Sequence, residues 1–187
     1  MLAEGTELQP VPYFGRAHAP AIPSQVPQRD CLIDPYPIQA VDFLLSAGLP
    51  GRLWNSGNVS GYLIWRLAPE HDLLFTDNRY DIYGGLVIRQ EHAVLNGWTE
   101  AWLRDHGLTR VMGFYPWNEV LDRWGVQTVF IPTDAEGNRA LLVSGAWERV
   151  YEDYQINLWV RRTAGNESAI RRAQSLPRPT PWRTLLR

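Results

Sequence analysis

Lysine is missing from this chain altogether: all 18 basic positions are arginine. That absence excludes Schiff-base catalysis, a phosphate-loop lysine and a lysine general base. Cysteine is nearly absent too, with Cys31 alone, so an intramolecular disulfide and any cysteine-built zinc or iron–sulfur site are excluded. No run approaches the ~20 consecutive apolar residues of a membrane-crossing helix, and residues 1–30 do not open as a secretory signal peptide does. An excess of one charge is lacking as well, since 18 basic residues against 20 acidic ones leave a net −2. The whole molecule therefore gives no electrostatic reason to expect nucleic acid as a partner. The G-x-G-x-x-G phrase of dinucleotide sites is missing. The nucleophile-elbow pattern G-x-S-x-G fails as well, because Gly57 and Gly61 bracket three residues with Ser60 in the wrong place.

What remains is a chain of 187 residues, 45% hydrophobic, long enough to bury one core without metals or disulfides. Its ends differ from its middle. Seven of the fourteen prolines fall within the first 37 residues, a density that prevents helix and central strand, so residues 1–33 read as an arm or linker. Residues 163–187 carry five arginines against Glu167 alone and read as a basic, poorly ordered tail. The folded unit is predicted as 34–162.

Within it, Pro37 opens a helix whose apolar stripe runs through Ile38, Val41, Leu44 and Leu45, and Gly48 with Pro50 stops it. A short strand follows at 52–55, then a helix over 58–68 capped by Ser56 or Asn58, with Val59, Tyr62, Leu63 and Leu67 buried. Residues 72–76 read as a strand covered on both faces. A helical pattern over 86–105 is open to a break at Gly97, a shorter helix starts at Pro116 and ends at Gly125, and VQTVFIP is a strand. WERVYE and INLWVRR form a hairpin. This order predicts an α/β domain of three layers, with a mostly parallel sheet flanked by helices and a C-terminal antiparallel hairpin at the edge.

In such sheets ligands sit beyond the carboxyl ends of the strands. Two polar loops begin there, NSGN at 55–58 and DNRYD at 77–81. The candidate binding residues are Asn55, Asn58, Asp77, Arg79, Asp81 and Tyr83, with Arg79 offering a planar fork of donors to a carboxylate or phosphate. Three readings stay open for this cluster: a corner of the fold in which Arg79 pairs with its own aspartates, a binding edge, and a reaction centre built on Asp77 and Asp81. Two acids four apart lack a third ligand at recognisable spacing, so no metal and no cofactor is expected. The four histidines, 18, 71, 92 and 106, show no metal-ligand pairing. Of the nine tryptophans, Trp65, Trp98, Trp102, Trp117 and Trp124 read as core, while Trp54 and Trp159 stay open to sugar stacking or interface anchoring. Asn58-Val59-Ser60 and Asn166-Glu167-Ser168 match the glycosylation acceptor pattern.

Three phrases together, YPIQAVDFLLSAGLPGRLWNSGNVSGYLIWRL, LLFTDNRYDIYGG, and WNEVLDRWGVQTVFIP with WERVYEDYQINLWVRR, resemble a known family over roughly residues 36–162. It is the soluble C-terminal domain of large bacterial membrane proteins related to polyprenyl-phosphate-sugar-dependent glycosyltransferases. The positions that carry the resemblance are Asn55, Gly61, Tyr62, Trp65, Asp77, Arg79, Asp81, Tyr83 and Gly84; the family usually has glycine where Asn78 stands. The resemblance implies a domain on the extracytoplasmic (periplasmic) face of the cytoplasmic membrane, with the catalytic acids in membrane-adjacent loops that this chain does not contain. The implied partners are a membrane-spanning domain or complex and a glycan or polyprenyl-linked acceptor. Two rival expectations stand beside it: a free-standing accessory subunit docking through its arm and tail, and a small carbohydrate-processing enzyme using Asp77 and Asp81.

Overall fold

The structure, a computed structural model, describes residues 36–68, 74–77 and 79–177, with Tyr80 and Tyr83 as backbone only. The expected arm at 1–33, Cys31, His18, His71, Asn78 and the last ten residues lie outside the described residues. Those residues form a mixed α/β fold of seven α-helices and a four-stranded sheet.

Helix α1 spans Ile38–Ala47 and follows Pro37, as predicted. It ends where Gly48 N–H donates to Leu45 O and Leu49 N–H to Leu44 O, a closure that uses the helix's orphan carbonyls. Strand β1 (Leu53–Asn55) leads into α2 (Gly57–Leu67). Helix α3 (Tyr80–Leu95) begins earlier than the apolar pattern indicates. Its first turn is set off by Gly84, whose φ of 65° and ψ of −178° belong to a region open essentially to glycine alone. The break foreseen at Gly97 separates α3 from α4 (Glu100–Asp105), where Thr99 Oγ1 accepts the Trp102 N–H. Helix α5 (Trp117–Arg123), strand β2 (Thr128–Pro132), helix α6 (Gly137–Ser144), strands β3 (Trp147–Glu152) and β4 (Ile156–Arg161) and helix α7 (Glu167–Ser175) complete the order.

The strand order is β1-β2-β4-β3. β1 pairs with β2 in parallel, Trp54 opposite Val129, whereas β2 and β3 each pair with β4 antiparallel. Two of three ladders are antiparallel, so the sheet is mixed where the sequence order predicts it mostly parallel. The reason is α6, an element that the sequence pattern does not announce. It carries the chain from β2 to β3 as a crossover that leaves one strand position between them, and β4 folds back into that gap. The hairpin does place β3 at the edge. On the other side of β1, Leu74 makes a parallel bridge to Leu53, and Phe75 N–H donates to Leu53 O; this is the described portion of the strand expected at 72–76.

Alternation along the strands sorts the apolar residues into two clusters. Leu53, Phe130, Leu158 and Val160 pack with α1, α2 and α7. Trp54, Val129, Ile131 and Trp159 pack with α3, α5 and α6. Residues 164–175, expected as part of a loose basic tail, are instead a 3-10 turn followed by α7 with Ala169 and Ala173 buried. One arginine explains the docking: Arg172 donates from Nε to Ala47 O and from Nη2 to Gly48 O, both at 3.1 Å, a cation against the carbonyl end of α1.

Candidate functional site

Six of the ten polar residues buried among the described residues, Asn55, Ser56, Ser60, Thr76, Gln90 and Glu91, gather where β1 ends and α2 begins, which marks this rim as the candidate site. Asn55 holds it together. Fully buried, its Nδ2 donates to Thr76 O (2.9 Å) and Ser56 O (3.1 Å), and its Oδ1 accepts from Phe75 N–H (3.0 Å). The side chain thus supplies the bonds that a longer strand pairing would have supplied. Asn55 and Asp77 share one rim, as the strand order requires, yet both amide hydrogens of Asn55 are engaged within the fold.

Helix α2 starts without help from its own cap residue. Ser56 sits at the N-cap position in extended geometry with no side-chain capping bond, and Gly57 N–H donates instead to Glu91 Oε1 at 2.9 Å. A buried carboxylate from α3 thereby meets the positive end of α2. Gln90, beside it, accepts from Trp124 Nε1 at 2.8 Å. Trp54 Nε1, Ser56 Oγ and Thr76 Oγ1 lie buried in the same corner without a protein partner.

At the outer lip, Asp77 Oδ1 accepts the Arg79 N–H (3.3 Å) and Oδ2 accepts Arg79 Nε (2.6 Å), with a guanidinium nitrogen paired to the same oxygen. An aspartate bonding its backbone two residues on is turn chemistry. With the Arg79 side chain 63% exposed, the pair adds little stability. Asp81 is exposed in the first turn of α3 and Asn58 in the first turn of α2. Of the six candidates, Asp77 and Arg79 pair at the lip, Asn58 and Asp81 are exposed in the first turns of α2 and α3, Asn55 is the brace beneath, and Tyr83 is placed by its backbone one residue before the Gly84 kink.

Several expected roles change. Trp54 and Trp159 are 0% and 1% exposed, so both are core; they sit on strands covered on both faces. Trp65, expected in the core, is 55% exposed and Trp124 45%. Asn166 is buried, its Nδ2 donating to Gln127 Oε1 and Arg161 O, so of the two acceptor patterns only that at Asn58 lies on the surface. His92 and His106 are exposed, His106 stacked on Trp102 with ring centres 4.0 Å apart. Among the described residues no group of three or more His, Cys, Asp or Glu is placed to hold a metal, and no helix is long and apolar enough to cross a membrane.

Sequence reading missed Glu91 and Gln90. A signal existed, because Val87, Glu91 and Val94 are spaced four and three apart and so share one helix face; an acid in an apolar stripe marks a buried partner. The chain matches no protein-family model, no curated protein and no solved structure.

Proposed function

We propose that this chain is the non-catalytic extracytoplasmic domain of a membrane glycosyltransferase-like protein, and that the lip formed by Asn58, Asp77, Arg79 and Asp81 faces an acceptor or partner over the membrane-spanning part. The single observation that carries the reading is the Asn55 brace, which ties loop 55–58 to segment 75–77 through bonds at 2.9 and 3.0 Å and holds the loop itself through a third, to Ser56 O at 3.1 Å. It turns two polar loops into one fixed edge at the carboxyl end of β1, where α/β sheets place ligands. Asp77 engages Arg79 rather than standing as an isolated acid, which favours recognition over proton transfer. The two apolar clusters on either sheet face support the finer architecture of helices, sheet and helices in three layers.

The test is the complete reading frame together with a functional readout. Upstream apolar spans in the same gene, and loss of glycosyl transfer by the parent protein on Asp77→Asn and Arg79→Ala with the parent still in the membrane, are the expected results. A gene without membrane spans, or a parent indifferent to both substitutions, refutes the proposal.

A further inference from the structure

An aromatic face continues from the lip down the outer side of α2. Asn58, Gly61 and Trp65 are three and four residues apart, so they share one face of the helix, and the rise along the axis from Asn58 to Trp65 is about 10 Å. Asn58 and Gly61 are exposed, and an added Cβ at Gly61 would meet nothing within 4 Å. The shelf beside the Trp65 indole is therefore open. Next to it, the Tyr62 ring centre lies 5.9 Å from that of Trp65 and 5.1 Å from that of Tyr36, the tyrosines stacked at 19°; Tyr36 is 54% exposed. Polar groups edge the rings. Arg66 Nη2 donates to Asp42 Oδ1 and Arg66 Nη1 to Tyr62 Oη, and the Asp42 side chain is 56% exposed.

We infer that this face binds a saccharide chain. Exposed rings grouped together and rimmed by polar groups are the kind of surface that marks a ligand-binding groove. A sugar ring presents an apolar C–H face to an indole or phenol while its hydroxyls need donors and acceptors at the ring's edge, which Asn58, Asp42 and Arg66 supply. Here the ring edges carry an amide, a carboxylate and a guanidinium, donors and acceptors side by side, which suits the many hydroxyls of a sugar ring. The inference deepens the acceptor-facing reading by naming the ligand class, and it rests on that reading only for the source of the saccharide.

The experiment uses the intact chain on a glycan microarray, followed by titration of the strongest hit against wild type, Trp65→Ala and Gly61→Leu. Trp65→Ala is expected to weaken binding roughly tenfold or more through lost stacking. Gly61→Leu, a better helix former that roofs the shelf, is expected to block binding without lowering the thermal midpoint. Asn58→Ala should weaken binding less than either. No retained glycan, or a hit insensitive to both Trp65→Ala and Gly61→Leu, overturns the inference; so does capture of a protein by this face with no glycan binding. Binding by the isolated chain is read independently of the gene's membrane spans. Glycan binding without a membrane parent sinks the proposed function alone, and a parent with spans but no glycan binding sinks the inference alone.

Discussion

Replacing Asn55 by alanine removes a buried side chain that hydrogen-bonds β1 to segment 75–77. The substitution orphans Thr76 O, which Asn55 Nδ2 holds at 2.9 Å, and takes one of two bonds from Phe75 N–H, which keeps Leu53 O, and from Ser56 O, which keeps the Val59 N–H, in a place where Asn55 is fully buried and Thr76 is 1% exposed. Each orphaned buried group costs about 1–3 kcal/mol. With one orphaned carbonyl and two groups that keep a second partner, the loss is about 2–3 kcal/mol, a large share of the ~5–15 kcal/mol that holds a domain. Urea unfolding followed by tryptophan emission measures it, since Trp54 is the buried neighbour of Asn55. Asn55→Asp sharpens the test. It keeps an acceptor for Phe75 N–H but sets an oxygen against the Thr76 and Ser56 carbonyls, and burial beside two carbonyls raises the new carboxyl above its usual ~3.9. A raised folded-state pKa means stability that is present at low pH and lost as pH rises through that value. Asn55→Asp should therefore gain on Asn55→Ala as pH falls from about 7 toward 4. A loss below about 1 kcal/mol for Asn55→Ala, smaller than one orphaned group, or parallel pH curves for the two variants, would refute the brace.

Two glycines of the family-like phrases should respond in opposite directions. Gly61 lies inside α2 with open space for a methyl group, so Gly61→Ala should raise stability by about 0.5–1 kcal/mol and the thermal midpoint by roughly 1–4 °C. Gly84 has equal space but a φ of 65°, so Gly84→Ala should cost about 1–3 kcal/mol in the same calorimetric comparison. At the far end of the sheet, burial and then its bond to Asp153 (2.6 Å) push the Tyr151 hydroxyl far above its ordinary value of 10.0. The folded state thus holds the proton that the unfolded state releases, and stability falls as pH rises above 10.0. Tyr151→Phe should flatten that alkaline limb in a pH series of urea midpoints; an unchanged slope would show that Tyr151 does not set it.

How much of this was legible in the sequence depended on whether the signal was local. Pro37, Gly48, Pro116 and Gly125 punctuate α1 and α5 because their backbone chemistry acts wherever they stand. The β-branched run at 128–132 and the turn at Asp153 mark β2 and the hairpin for the same reason. Helix α7 was hidden because it buries alanines, Ala169 and Ala173, whose small apolar area leaves a weak stripe. Helix α6 was hidden because Leu142 and Val143 stay exposed, which blurs its period. The parallel-sheet expectation failed with it, since a sheet order cannot be built from strands alone when a crossover is missed. At the rim, residue types indicated the place and tertiary contacts set the roles. Asn55 has the composition of a binding residue and the burial of a keystone, and Trp65 exchanged places with Trp54 because strands buried on both faces leave no exposed side for an indole.

The proposal makes the rim a braced edge for recognition and not a centre of reaction, and proton NMR of a soluble oligosaccharide panel incubated with the intact chain tests it most directly. Broadened resonances of a bound sugar with unchanged anomeric signals over time are the predicted result. New reducing-end signals that grow with wild-type protein and vanish with Asp77→Asn/Asp81→Asn would contradict it.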